Sequence, residues 1–79
     1  MKKRKARLYF KDENLLKQIG NKIRDVRTAQ NMSIEALANE CEVDYSQISR
    51  MELGKVNFSV SYLSKVAKIL KLNPQDLLP

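Results

Sequence analysis

The chain has 79 residues, with 15 Lys and Arg, 9 Asp and Glu and no His, which gives a net charge of +6. This length predicts one small domain, and a single cysteine with no histidine excludes an internal disulfide and argues against a zinc site or other cofactor. No apolar run reaches the roughly 20 residues of a membrane span, and no secretory signal follows the basic start. We therefore expect a small cytoplasmic protein whose excess charge favours an anionic partner, nucleic acid or a membrane surface.

The excess charge lies at the N-terminus. Residues 1–11 contain six cations and no anion, and the rest of the chain contains nine of each. We predict a basic, flexible arm at 1–12 and a folded domain at 13–79. The arm can be interpreted as a solvating tail, as a DNA-contacting arm, or as a polybasic segment for membranes or nuclear import.

The folded part has the pattern of an all-α domain. Apolar residues recur at three- and four-residue steps, and the whole chain contains only two Gly and two Pro. Polar residues that can cap helices, each flanked by an apolar pair, occur at Ser33, Asp44, Ser59 and Asn73. These signals predict five helices, at about 13–30, 34–41, 45–53, 60–71 and 74–78.

Single residues refine this prediction. Asp44 and Gln47 have the spacing of a capping box, and Gly54 is expected to end the third helix in a left-handed conformation. Gly20 is expected to mark a close contact of the first helix, and Cys41 a buried apolar position.

The connection between the second and third helices is short. Only Glu42, Val43 and Asp44 join them, and a turn of this length between short helices is typical of a helix-turn-helix. An ordinary helical hairpin is the alternative. The outer face of the third helix favours the first interpretation because its polar side chains suit contacts in a DNA groove: Tyr45, Ser46, Gln47, Ser49 and Arg50.

Residues 33–55 resemble the helix-turn-helix of the Cro/repressor-type (XRE-family) regulators of bacteria and phages. The matching positions in this segment are Leu37, Ala38, Val43, Ser46, Ile48, Ser49, Glu52, Gly54 and Lys55. The similarity continues on both sides, over about residues 16–78. It implies a compact five-helix repressor-like DNA-binding domain in which helices two and three form the motif and residues 45–53 form the recognition helix.

The resemblance also implies roles for single residues. It assigns DNA base contacts to Tyr45, Ser46 and Arg50, with Gln47 and Ser49 beside them. It assigns contacts with the DNA backbone to Ser33, Lys55 and Asn57. Arg27 and Glu52 match a buried ion pair between helices one and three, and the inward position of Glu52 in the helical pattern points to the same pair. Beside a helix-turn-helix we favour the DNA arm, whose backbone-contacting cations would be Lys2, Lys3, Arg4, Lys5 and Arg7.

Two positions depart from the family pattern. Ile34 stands where the family usually has Gln, so a side-chain contact to phosphate is absent, although backbone N–H groups at a helix start can still bind phosphate. Glu42 stands where Gly usually occupies the turn. If Glu42 is left-handed, it adds roughly 1–2 kcal/mol of strain, and it brings an anion close to the DNA-facing side.

The leading hypothesis is a sequence-specific transcription regulator of the repressor or controller type that binds a pseudo-palindromic operator as a homodimer, with recognition helices about 34 Å apart. Dimer contacts, or alternatively core contacts, are expected from Tyr62, Ile69, Leu77 and Leu78. The alternative function is an antitoxin-like module that binds a protein. No small-molecule ligand is expected, and the chain lacks the residue patterns of an enzyme active site.

Overall fold

The computed structural model of the chain describes residues 10–79. The arm cations Lys2, Lys3, Arg4, Lys5 and Arg7 therefore lie outside the described residues. The described part consists of α1 (Glu13–Ala29), α2 (Ile34–Cys41), α3 (Tyr45–Glu52), α4 (Val60–Ile69) and a 3₁₀ helix (Pro74–Leu77). The all-α prediction is confirmed. The predicted fifth α-helix is instead a single turn, too short for more than the i→i+3 bonds of a 3₁₀ helix.

Three of the four α-helices begin at a side-chain cap. The carboxylate of Asp12 accepts a hydrogen bond from the Leu15 amide at 3.1 Å. The hydroxyls of Ser33 and Ser59 accept from the amides three residues ahead, each at 3.0 Å. The apolar residues before the caps at Ser33, Asp44, Ser59 and Asn73 are half-buried against the core: Met32, Val43, Phe58 and Leu72. Their packing agrees with the hydrophobic staples of the sequence pattern.

The capping box predicted at Asp44 is wrong. Asp44 occupies the N-cap of α3 in extended backbone, but its side chain makes no capping hydrogen bond. The Gln47 amide, which that side chain would bind, instead donates to the Asp44 backbone carbonyl at 3.0 Å. This i→i+3 bond tightens the first turn and satisfies the donor, so the box does not form.

All four α-helices end in the same backbone motif. The first residue after the helical turn has positive φ: 57° at Asn31, 59° at Glu42, 72° at Gly54 and 64° at Lys71. In each case the amide of the next residue donates to a carbonyl five positions back, at 2.8–3.0 Å, which is the Schellman arrangement. Gly54 behaves as predicted. Glu42 and Lys71 adopt the left-handed conformation with a Cβ atom, which costs each of them conformational energy.

One hydrophobic core holds the helices together. Its largest fully buried members come from every helix: Ile23, Leu37, Cys41, Ile48, Met51, Val66, Leu70 and Leu77. Cys41 is a free cysteine inside this core, as predicted. In the part of the chain that the structure describes, no helix combines the length and apolar character that crossing a membrane requires.

Gly20 lies at a close approach between α1 and α3. A Cβ atom on Gly20 would lie 2.5 Å from the carbonyl oxygens of both Met51 and Glu52. The missing side chain therefore lets the C-terminal turn of α3 rest directly on the α1 backbone. This contact, together with the core, fixes the position of α3 on the body.

Candidate nucleic-acid interface

The helix-turn-helix is formed by α2 and α3. They are separated only by residues 42–44, and the left-handed conformation of Glu42 reverses the chain (φ 59°, ψ 44°). Val43 then packs against the core, and Asp44 is extended at the start of α3. A three-residue turn of this kind between two short helices is the connection found in helix-turn-helix motifs.

The inward face of α3 is buried in the core, whereas its outer face is exposed and polar. Its inward face carries Ile48 and Met51, both fully buried, and the largely buried Glu52. Among the predicted base-contacting residues, Tyr45, Ser46, Gln47 and Arg50 are exposed, and Tyr45 keeps 57% of its surface in solvent. Ser49 is half-buried at the edge of this face. The outer face of α3 therefore presents polar, hydrogen-bonding side chains that the fold itself does not use.

Arg27 and Glu52 form a buried ion pair behind this face. Arg27 Nε and Nη2 donate to the two carboxylate oxygens of Glu52, at 2.6 and 3.0 Å. Arg27 Nη1 donates to the Met32 carbonyl at 2.8 Å. The hydrogen bonds to Glu52 raise the pKa of Arg27 above its already high value, although burial opposes this effect. Arg27 therefore stays protonated, and its bonds to Glu52 tie α1 to the C-terminal turn of α3.

The three residues that the family resemblance assigns to contacts with the DNA backbone differ in the hydrogen bonds that they already make. The Ser33 hydroxyl already accepts a hydrogen bond from the Ala36 amide, but its own hydrogen can still be donated outward. Lys55 has an exposed side chain, while its carbonyl accepts a hydrogen bond from Lys11 Nζ at 2.9 Å. The Asn57 amide Nδ2 donates to the Phe10 carbonyl at 3.0 Å.

A cleft lies between α3 and the segment that follows it. It is lined by Gln47 and Arg50 from α3 and by Val56, Asn57, Phe58, Ser59 and Tyr62. The structure thus brings Asn57 beside two residues of the α3 outer face, whereas Ser33 and Lys55 do not line this cleft.

The described body carries little net charge. Five of the fifteen cations precede residue 10, so residues 10–79 contain ten cations and nine anions. Three of those anions, Glu40, Glu42 and Asp44, are exposed around the turn that precedes α3. Any attraction of α3 to a polyanion is therefore weakened locally by these carboxylates.

The residues considered for dimer contacts do not form one patch. Leu77 is 1% exposed within the core, so its side chain makes the core contact that the sequence left open as the alternative to a dimer contact. Tyr62 and Ile69 are half-buried against the core. Leu78 is 46% exposed and lines an apolar groove with Val60, which is 80% exposed, and Phe10.

Two features of this region have no clear signal in the sequence. The hydrogen bond between Asn57 and Phe10 joins residues 47 positions apart through a backbone carbonyl, a group that every residue carries. The hydroxyl of Tyr62 is buried and has no hydrogen-bond partner within residues 10–79, and burial raises the pKa of Tyr62. The helical spacing of apolar residues places Tyr62 beside the main apolar stripe of α4, but it does not predict whether the hydroxyl is buried or exposed.

Comparison with known proteins supports this geometry. Residues 23–77 match the family model described as helix-turn-helix. The control protein C.BamHI of Bacillus amyloliquefaciens is 39% identical over 66 residues, which cover 82% of each chain. The restriction-modification controller protein C.AhdI of Aeromonas hydrophila superposes with a TM-score of 0.77 at 33% identity, covering 80% of this chain and 96% of that one. The DNA-binding domain of BldD superposes with a TM-score of 0.78 at 26% identity, covering 86% and 99%.

Proposed function

Because the chain belongs to the helix-turn-helix family and is a DNA-binding transcription regulator of the controller type, we propose that it binds a pseudo-palindromic operator as a homodimer. The observation that carries this proposal is the division of α3, whose inward face is held by the core and by Arg27, while its outer face stays open. In this proposal the protein is not an enzyme, and it acts in the cytoplasm, associated with the nucleoid when bound to DNA.

The outer face of α3 reads the operator in this proposal. Arg50 and Gln47 can each form paired hydrogen bonds with base edges in the major groove, to guanine and adenine respectively. Tyr45 and Ser46 lie at the N-terminal end of α3, the end that recognition helices present to bases. Ser33, Lys55 and the arm cations supply contacts to the phosphates, which fix the register without reading sequence.

A pseudo-palindromic operator has two half-sites, and a homodimer supplies one recognition helix for each of them. We place its contact at the apolar groove framed by Phe10, Val60 and Leu78, since these are three of the five large apolar side chains most exposed in residues 10–79. A second copy suits this groove because a two-fold interface requires one self-complementary patch on each subunit. None of the three residues lies on α3, so this contact leaves the reading face open.

The test is selection of bound DNA from a random pool by the intact chain, followed by affinity measurements with Arg50→Ala. We expect paired half-sites, and a loss of about 1–3 kcal/mol with relaxed preference at one base if Arg50 reads guanine. Lys68→Ala, which removes one exposed cation from α4, is the control for charge alone and should keep the preference. A pool with no consensus, together with a protein partner that co-purifies, would instead favour the antitoxin-like alternative.

A further inference from the structure

The start of the described chain is fastened to the loop between α3 and α4. Asn57 Nδ2 donates to the Phe10 carbonyl at 3.0 Å, and Lys11 Nζ donates to the Lys55 carbonyl at 2.9 Å. Asp12 then caps α1, so three successive residues are each held by a hydrogen bond. We call the hydrogen bond between Asn57 and Phe10 and the hydrogen bond between Lys11 and Lys55, taken together, the clip.

The clip lies next to the outer face of α3. Asn57 lines the cleft that also contains Gln47 and Arg50, and it lines the groove that contains Phe10. Asn57 is therefore the point where the reading face and the exit of the N-terminal chain meet. Phe10, where the described chain begins, is thus bonded to a residue that lines the same cleft as two side chains proposed to read bases.

The position of Phe10 beside Asn57 matters because most of the net positive charge lies before residue 10. Five cations precede residue 10, while the body has almost no net charge and bears carboxylates around the turn before α3. Nine residues span at most about 30 Å when fully extended, so the point of departure decides which phosphates these cations can reach. A chain that leaves beside α3 is delivered to the DNA that α3 occupies.

We propose that Asn57 is a positioning residue for the basic N-terminal arm, and that it acts on DNA binding through the Phe10 carbonyl rather than as a phosphate contact of its own. This inference rests on the proposed DNA-binding function. It replaces the backbone-contact role that the family resemblance implies for Asn57. The clip holds the arm where its cations add to the affinity for the DNA flanking each half-site.

The test is a double-mutant cycle on the full-length chain. One change is Asn57→Ala, and the other neutralises the arm with Lys2→Gln, Lys3→Gln, Arg4→Gln, Lys5→Gln and Arg7→Gln. The dissociation constant for the selected operator is measured over a range of salt concentrations for all four proteins. Asn21→Ala, on the exposed surface of α1, is the matched control, and thermal melting verifies that each variant folds.

We expect Asn57→Ala to weaken binding about two- to ten-fold in the intact chain and to flatten the salt dependence by up to about 0.9 log unit for each phosphate that the arm no longer reaches. In the arm-neutral background the same substitution should have no effect. An equal loss of affinity in both backgrounds would overturn the inference because it would show a direct contact, and so would unchanged affinity in the intact chain. Absence of specific binding by the intact chain overturns the proposed function and this inference together.

A second measurement keeps the test valid if Asn57→Ala is unstable. An iron–EDTA group is attached through Lys2→Cys, since Cys41 is fully buried and should not react. With Asn57 unchanged, DNA cleavage should be confined to one segment beside each half-site. Cleavage spread evenly along the duplex would contradict the inference that the arm starts from a fixed position beside α3.

Discussion

The side chains of Arg27 and Glu52, 25 residues apart, meet inside the protein through two parallel hydrogen bonds of 2.6 and 3.0 Å. This pair joins α1 to α3 at the turn where the Gly20 backbone contact also lies. Two independent contacts thus fix the orientation of α3 before any DNA is bound, which lowers the ordering cost of binding.

Loss of the ion pair should destabilise the fold strongly. Glu52→Ala leaves the Arg27 guanidinium buried without its anion, and we expect a loss of about 3–5 kcal/mol in the free energy of unfolding. Urea denaturation followed by circular dichroism measures this change. Glu35→Ala, an exposed glutamate of α2, should change stability by less than about 0.5 kcal/mol; similar values for the two variants would contradict a stabilising role of the pair.

Gly20→Ala should also be destabilising, although alanine is the better helix former by about 1 kcal/mol. The added methyl group would sit 2.5 Å from two carbonyl oxygens of α3, so the helices must separate, at a cost of about 1–3 kcal/mol. Thermal unfolding measures the sum of both effects. Asn21→Ala, the exposed neighbour, should be neutral or stabilising, and a more stable Gly20→Ala would show that the close contact is not essential.

Lys71→Gly should stabilise the protein by roughly 1 kcal/mol. Lys71 has φ 64° at the end of α4, a conformation that glycine adopts without the penalty of a Cβ atom. Lys68→Gly is the matched control, because Lys68 lies inside α4, where glycine should cost about 1 kcal/mol. Opposite signs for the two melting-temperature shifts are expected, and equal destabilisation by both would refute the argument.

Tyr62→Phe should raise stability, by up to roughly 1 kcal/mol. The Tyr62 hydroxyl is buried and finds no partner in the described part of the chain, and an unsatisfied buried polar group carries a desolvation cost. Chemical denaturation of Tyr62→Phe and of Tyr45→Phe, whose ring is exposed, separates this effect from general loss of a hydroxyl. Marked destabilisation by Tyr62→Phe alone would mean that the hydroxyl has a partner in solution.

Val60→Asp should shift the protein to monomers and weaken operator binding. Val60 is 80% exposed in the single chain, and aspartate is favourable in the first turn of a helix, so the subunit fold should be retained. Sedimentation velocity measures the oligomeric state. Ser61→Asp, at the adjacent exposed position, is the control for charge, and an unchanged dimer in Val60→Asp would exclude this groove as the interface.

Much of the fold could be predicted because its determinants are local. The caps at Ser33 and Ser59 and the apolar spacing of each helix are properties of short segments. The helix-turn-helix followed from the three-residue connection and from the outer face of α3. Glu52 could be paired with Arg27 in advance because the family resemblance implies this pair and an inward-facing carboxylate requires a partner.

The remaining features depend on tertiary contacts. The left-handed end at Lys71 has no signal in its side chain, since it is imposed by the hydrogen bond from the Leu72 amide to the Ala67 carbonyl. The burial of Leu77 depends on how the 3₁₀ helix packs back on the body, which helical spacing alone does not determine. The bond between Asn57 and Phe10 likewise exists only after α1 and α3 have come together.

The two faces of α3 share no residue. Ile48, Met51 and Glu52 anchor the helix. Within residues 10–79, no side-chain hydrogen bond of the fold comes from the exposed residues Tyr45, Ser46, Gln47 and Arg50. These four outer residues can therefore be substituted together with little effect on the stability of the fold. The same domain could then acquire a preference for a different operator sequence.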